Sequence, residues 1–386
     1  MRSLRRYHAF LIVLLVGTVV LGYGLNTVVN PWRVTPTSWS SQKLEPYREI
    51  DNTWNRTAKA GLVRSGTWDA AMFGSSRVDI ALDPKHPLFD GMRCANLGLN
   101  AAQLFENKAI FDYFMDREDA KLVVFAIDAG DLTTPPPKRN PTDFALSPLD
   151  RDADPIEREL RYHLGISTCA SSFETLGRAV GNEPADHTPE GFRHDSEFPK
   201  DLRQTIAGLY LATTVRMVEG RKRYGKLDPT KLEVIRSIVE RCRQDGTRLV
   251  FLITPNHALF QTCYRELGDP DPWFEKDRAA LAQFASPGVE IWDFLDGHAL
   301  NAEPLPPADQ PGAHFDHWID LFHATPEVGN LILDRIAGKA GNYGRRLEPD
   351  SVEARVREVQ QGVDRYLEAN PDDLNFLRKS LKRYQP

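Results

Sequence analysis

The chain opens on an unbroken apolar run. Residues 9–25 are almost wholly apolar, and no Asp, Glu, Lys or Arg stands between Arg6 and Arg33. A helix of that length crosses a hydrocarbon core of about 30 Å. A polar stretch follows over residues 30–65, punctuated by Pro31, Pro36 and Pro46, and reads as a linker with room for a short amphipathic helix over 50–63. From residue 70 onward, short apolar runs alternate with helical periodicity, the pattern of β-α units around a parallel sheet. Strands are predicted over 70–73, 92–97, 121–127 (KLVVFAI), 248–254 (RLVFLIT) and 289–294. Continuous apolar runs of this kind fit strands covered on both faces. Helices are predicted over 101–117, with Leu104, Ile110, Phe111 and Phe114 on one face, over 229–245 and over 272–284. The second of these has Asp228 as N-cap, Pro229 at the first position and Gly246 beyond its end. A last helix starts at Thr325 and Pro326 and stops at Gly338.

Between residues 132 and 225 the alternation lapses. The run Thr133 to Pro137 and the polar stretch 184–199 mark an insertion, with helices expected over 155–163 and 202–219. Insertions after strand ends build binding surfaces in open α/β folds; a packing elaboration is the plainer reading. After residue 341 the chain is strongly charged, with Val352, Val356, Val359, Val363 and Leu367 at helical spacing, an amphipathic tail expected to dock on the domain. The organisation is therefore an N-terminus over 1–8, a span over 9–29, a linker over 30–65, an α/β domain over 66–340 with insertion 132–225, and a charged helical tail over 341–386.

Charge and cysteine usage narrow the class. The net charge of -6 and the lack of a basic block exclude a nucleic-acid binder, which needs a cationic footprint. Arg2, Arg5 and Arg6 precede the apolar run, so the positive-inside bias leaves the N-terminus in the cytoplasm and the bulk of the chain outside, periplasmic in a Gram-negative cell. The rival reading is a cleaved signal peptide, whose apolar region is about 7–15 residues and whose cleavage site resembles Ala-x-Ala. The run here is longer and residues 22–30 hold no clear site of that kind, which favours an uncleaved single-pass anchor. Cys94, Cys169, Cys242 and Cys263 form no C-x-x-C pair, so disulfides or buried free thiols remain open.

The chemistry gathers at two short blocks. Phe73-Gly74-Ser75-Ser76-Arg77 ends the first predicted strand, and Asp320-Leu321-Phe322-His323 precedes the last predicted helix. A serine becomes nucleophilic when a base takes its proton and a third group orients that base. Ser76, His323 and Asp320 fit those roles, at strand ends where open α/β folds place their sites. His314, Asp316, His317, Asp320 and His323 could instead form a metal cluster, since imidazoles and carboxylates are common ligands. His257, after a strand and Pro255, is a candidate pocket residue or a satisfied loop histidine, and Trp318 is expected to pack beneath the site. No Gly-x-Ser-x-Gly, P-loop or Gly-x-Gly-x-x-Gly motif is present.

These blocks resemble the SGNH (GDSL-like) hydrolases, and more narrowly their membrane-anchored branch of D-alanyl-transfer and polysaccharide O-acetylation proteins. Gly74-Ser75-Ser76 matches the nucleophile block in its anchored form, Asn96-Leu97-Gly98 the second block, and Asp320 to His323 the terminal block. The resemblance implies a three-layer, flavodoxin-like parallel sheet with helices on both faces. It implies Ser76 as nucleophile, with Ser76 and Gly98 as oxyanion donors. The third block departs from the family: Asp128-Ala129-Gly130-Asp131 lacks the asparagine that donates to the oxyanion, a loss of about 10²–10³ in rate for one donor. Asn100 is the expected substitute, and Asp128 the expected cap of a loop.

The function implied is an anchored O-acyltransferase or esterase of cell-envelope or secreted polysaccharide, without a cofactor. Its partners would be a polysaccharide or other hydroxyl acceptor, a membrane-bound acyltransferase that supplies acyl groups, and the membrane itself. Two alternatives stand beside it: a non-catalytic polysaccharide-binding subunit on the same fold, and a metal-dependent hydrolase built on the His314–His323 cluster.

Overall fold

The computed structural model describes residues 2–133, 143–194, 198–310 and 312–384. In chain order its elements begin with α1 (Arg2–Val29), α2 (Asn55–Ser65), β1 (Ala70–Gly74), α3 (Ser76–Ala81), β2 (Cys94–Gly98), α4 (Leu104–Met115) and β3 (Leu122–Ile127). There follow α5 (Asp143–Leu146), α6 (Pro155–Leu164), α7 (Ile166–Gly181), α8 (Leu202–Thr205), α9 (Leu211–Tyr224), α10 (Pro229–Asp245) and β4 (Arg248–Ile253). The chain closes with α11 (Ala258–Glu266), α12 (Glu275–Ala282), β5 (Val289–Asp293), α13 (Pro326–Ile336), β6 (Arg345–Arg346), α14 (Val352–Ala369) and α15 (Pro371–Leu381). Two compact units result: Met1–Thr67 with Arg139–Gly191, and Trp68–Lys138 with Phe192–Pro386.

The second unit is an α/β fold on a six-stranded sheet of order β2-β1-β3-β4-β5-β6. The first five strands are parallel, and β6 pairs antiparallel with β5. Every residue of β1 and β3 is buried, which is why both read as unbroken apolar runs. Phe73, Phe125 and Phe251 turn to one face, where Phe111 of α4 meets Phe73 at 5.5 Å between ring centroids. On the other face Leu252, Val78 of α3 and Ile332 of α13 line one small cavity. Helix α13 crosses α3 so closely that a Cβ on Gly329 would stand 1.7 Å from the Ala81 carbonyl oxygen. Strand order reverses between β1 and β3, and ligand crevices of open parallel sheets lie beyond the strand carboxyl ends at such a point.

The predicted strands and the capped helices are present within a few residues. At α10 the Asp228 carboxylate accepts from the Thr230 N–H at 2.9 Å, and Gly246 takes φ 70° beyond its end. The tail is part of this unit: Val352, Val356, Val359, Val363 and Leu367 are all buried. Arg355 of α14 reaches the buried Asp293 at 2.9 Å and Asp296 at 3.1 Å, locking the tail to the end of β5. Arg278 holds the same Asp293 at 2.9 Å, and the paired guanidinium groups outweigh burial and hold that carboxyl low.

Three expectations give way. Residues 30–65 are not an extended linker but fold with Arg139–Gly191, and most of α2 is buried. Asp143 of α5 caps that helix, its carboxylate accepting from the Arg56 N–H at 2.5 Å, while burial pushes its acid up to about 6. The span 132–225 is not one insertion either, because 139–191 joins the first unit and 192–225 the second; part of it, residues 134–142 and 195–197, lies outside the described residues. The helix expected over 202–219 is interrupted by a π-helical turn, Ile206–Tyr210, between α8 and α9. The four cysteines are free thiols, and burial pushes that of Cys242 up to about 12. Helix α1 carries one apolar stretch, Leu4–Val29, long enough to span a membrane.

Candidate functional site

Ser76 owes its position to the end of β1. The strand stops at Gly74, Ser75 caps α3 by accepting the Arg77 N–H at 3.3 Å, and Ser76 opens the helix at the carboxyl edge of the sheet. The second block is held on a tight loop between β5 and α13. Trp318 and Ala324 form an antiparallel bridge, closed further by the Ile319 N–H to His323 carbonyl bond of 2.8 Å. Trp318, fully buried, donates its indole N–H to the Leu300 carbonyl at 2.6 Å and so supports the loop from below. At the loop tip Asp320 Oδ1 accepts the amides of Phe322 at 2.6 Å and His323 at 2.9 Å. One carboxylate oxygen therefore shapes the turn and leaves the other for the imidazole.

The two blocks meet. Ser76 Oγ lies 2.8 Å from His323 Nε2, and His323 Nδ1 lies 2.6 Å from Asp320 Oδ2. With Nδ1–H donated to the carboxylate, Nε2 is the acceptor for the serine proton. Burial pushes the Asp320 carboxyl up, but the adjacent His323 and the hydrogen bonds from His323 and Tyr210 outweigh it, so the acid sits below its ordinary value.

Tyr210 is a fourth member with no signal in the sequence. Its hydroxyl donates to Asp320 Oδ2, the oxygen that faces His323, across 110 residues of chain. It sits at the last position of the π turn, a distortion that recurs at functional sites. Burial, then the Asp320 charge, pushes its phenol well above the ordinary range, so it stays a donor at physiological pH. Tyr210→Phe is expected to slow reaction at Ser76 by about 10–100-fold, since a bond to a charged group contributes about 1.5–3 kcal/mol. Losing that bond lets the Asp320 acid rise, so the acidic limb of the rate profile should move to higher pH; the labelling rate of Ser76 measured against pH checks this.

A cavity of about 610 Å³ opens on Ser76 and His323. Its wall is apolar at Leu209, Met217 and Val234, and polar at Gln103, Asp131 and Lys231. Gln103 Oε1 is buried there without a hydrogen-bond partner among the described residues. Arg77, next to Ser76, places Nη1 2.8 Å from Asp128 and 3.1 Å from Thr254 Oγ1, with its guanidinium 5.4 Å above Phe322. Asp128 is thus the ionic partner of Arg77, while the loop cap expected of it falls to Asp131, whose carboxylate accepts the Asp128 N–H at 3.0 Å.

Burial, with Asp128 adding to it, pushes the Asp131 acid up to about 7. Its unfolded value is near 3.8, so the folded chain binds this proton more tightly and loses stability as pH rises from about 4 to about 7. Asp131→Asn keeps an acceptor for the Asp128 amide and removes that penalty. The variant is expected to melt above the parent at pH 8 and level with it at pH 4, as thermal unfolding at the two pH values would reveal.

Other expectations are corrected. The Gly98 N–H is not offered to the cavity but donated to Asn96 Oδ1 at 3.0 Å, and a Cβ on Gly98 would stand 2.5 Å from the Asp79 nitrogen, so this glycine admits α3. Neither Gly98 nor Asn100 lines the cavity, whereas Ala101 and Ala102 do. The Ser76 amide has no acceptor among the described residues and is the expected donor that remains. The histidines diverge: His317 pairs with Glu303, and His314 Nδ1 turns to the Phe315 carbonyl at 2.8 Å. Among the described residues no three metal-binding side chains gather around one point. His257 is a satisfied core residue, its Nδ1 accepting the Leu259 N–H at 3.2 Å, its Nε2 2.8 Å from the Glu303 carbonyl, and its acid driven down to about 4 by burial.

No family model matches the chain, and no curated protein is significantly similar to it.

Proposed function

We propose that this chain is an SGNH-like serine acyltransferase or esterase, anchored in the cytoplasmic membrane by α1 with its α/β unit outside, acting on acyl esters of cell-envelope or secreted polysaccharide. The observation that carries the reading is the Ser76-His323-Asp320 relay, two hydrogen bonds of 2.8 and 2.6 Å joining blocks 247 residues apart. The strand order β2-β1-β3-β4-β5 is that of a flavodoxin-like sheet and supports the family resemblance.

In this reaction Ser76 Oγ attacks the acyl carbonyl while His323 Nε2 takes its proton, and Asp320 stabilises the imidazolium. The tetrahedral intermediate collapses, the donor's alkoxide leaves with the proton from His323, and an acyl-serine remains. An incoming sugar hydroxyl or water then gives its proton to His323 and attacks the ester, and the returned proton frees Ser76. The cavity volume lies within the roughly 300–1,000 Å³ typical of small-molecule sites, enough for an acyl group and one sugar.

A fluorophosphonate probe tests the reading, because it reacts only with an activated serine. Labelling of the wild-type chain, absent in Ser76→Ala, is the result expected. A folded wild-type chain that resists the probe yet retains polysaccharide would instead favour the binding-subunit reading, to which the missing third-block asparagine and the committed Gly98 amide lend weight.

A further inference from the structure

Helix α7 is built inside out, and α6 beside it exposes an apolar edge. On α7 the residues turned inward are polar, with Thr168, Ser172 and Thr175 all buried. One outward stripe is apolar, with Ile166 89% exposed, Phe173 62% and Val180 90%, while Ser167 and Glu174 stand exposed beside it. Seven-residue spacing places these three on one stripe, since seven steps of about 100° return nearly to the start. Ala170 and Gly177, also exposed, complete the stripe without a charge. On α6 Ile156, Leu160 and Leu164, at four-residue spacing, are exposed in the same way. A surface helix in water shows the reverse arrangement, and a continuous exposed apolar face marks a contact with lipid or protein.

The partner is indicated by what the polar faces hold. Asn26 Nδ2 of α1 donates to the His163 carbonyl at 2.9 Å, Thr27 Oγ1 lies 3.0 Å from His163 Nδ1, and Ser172 Oγ donates to Asn26 Oδ1 at 2.9 Å. Tyr23 stacks on the His163 ring at 4.7 Å. These contacts all fall in the last two turns of the apolar stretch Leu4–Val29. That stretch is 26 residues long, roughly 39 Å at 1.5 Å per residue, against a hydrocarbon core of about 30 Å. Its final turns therefore lie where hydrocarbon gives way to headgroups, and α6 and α7 are tied to α1 at that depth.

We infer that α6 and α7 form an interfacial platform, their Ile156-Leu160-Leu164 and Ile166-Phe173-Val180 stripes seated in the lipid leaflet reached by the C-terminal end of α1. Helices of this kind bury their apolar face about 5–10 Å deep. His163 and Ser172 then satisfy Asn26 and Thr27 at the boundary of hydrocarbon and headgroups. The inference rests on α1 spanning the bilayer and is independent of the chemistry at Ser76.

The test uses the full chain in vesicles of phosphatidylethanolamine and phosphatidylglycerol. Cys169→Ser removes the one cysteine that is not buried, and an environment-sensitive fluorophore is attached singly at Ile166→Cys, Phe173→Cys or Val180→Cys. Leu14→Cys in α1 serves as the membrane reference and Glu353→Cys, exposed on α14, as the aqueous one. The three α7 labels are expected to emit at shorter wavelength than the aqueous reference and to lose intensity when doxyl lipids are added. Emission at the aqueous position without quenching, while Leu14→Cys is quenched, would overturn the platform. A short-wavelength label that doxyl lipids leave unquenched would mean a second protein covers the stripe, and would overturn it as well. If Leu14→Cys itself is unquenched, the anchor on which the platform depends is wrong.

Discussion

Ser76→Ala is expected to lower turnover by about 10⁶-fold, the scale seen when the nucleophile of a serine triad is removed. His323→Ala should cost nearly as much, and the double variant should fall no further, because nucleophile and base act as one unit. The structural basis is the 2.8 Å contact of Ser76 Oγ with His323 Nε2, which makes His323 the base at the serine among the described residues. Hydrolysis of an activated ester by purified chain, with melting temperature as a control for folding, gives the numbers. Turnover of Ser76→Ala within tenfold of the parent would leave the triad without a role.

Asp320→Asn should lower turnover by about 10⁴-fold with little change in stability. The two atoms of its side chain do separate work. Oδ1 accepts the Phe322 and His323 amides and shapes the turn, and an asparagine carbonyl can do the same. Oδ2 receives the His323 Nδ1–H, and there the amide group of asparagine offers a donor instead. The imidazole would then carry its proton on Nε2, facing Ser76 as a donor, and could not accept the serine proton. Equal melting temperatures with a collapsed rate are the expected pair of results; a rate within tenfold of the parent would remove Asp320 from the relay.

The two blocks of the candidate triad were legible because each is local. A strand that ends on small residues, and a carboxylate three positions before an imidazole on one loop, are short-range patterns, and Asp320 builds its turn with its own neighbours. The same holds for β1, β3, β4 and α10, whose apolar runs and caps are set by adjacent residues. Tyr210 was not legible. Its hydroxyl reaches Asp320 only because a π turn re-aims one side chain within a helix, and no residue nearby announces that. Gly98 misled for a related reason: its block matches a motif, but where the Gly98 N–H points is decided by the Asn96 side chain and by how near α3 comes.

Periodicity misread residues 30–65 and helix α7 for one common cause. Polar, proline-containing sequence looks like a linker when its partner is distant, yet α2 is capped by Asp143, some 86 residues on. Helix α7 was not expected at all, since its inward face is Thr and Ser and its outward face apolar, the reverse of the pattern by which a helix in water is recognised. Secondary structure, the apolar span and the separate halves of a serine site follow from interactions between neighbours in the chain. Which halves meet, which hydroxyl supports the carboxylate, and which helix faces α1 depend on contacts more than 80 residues apart, and those exist only once each unit has folded.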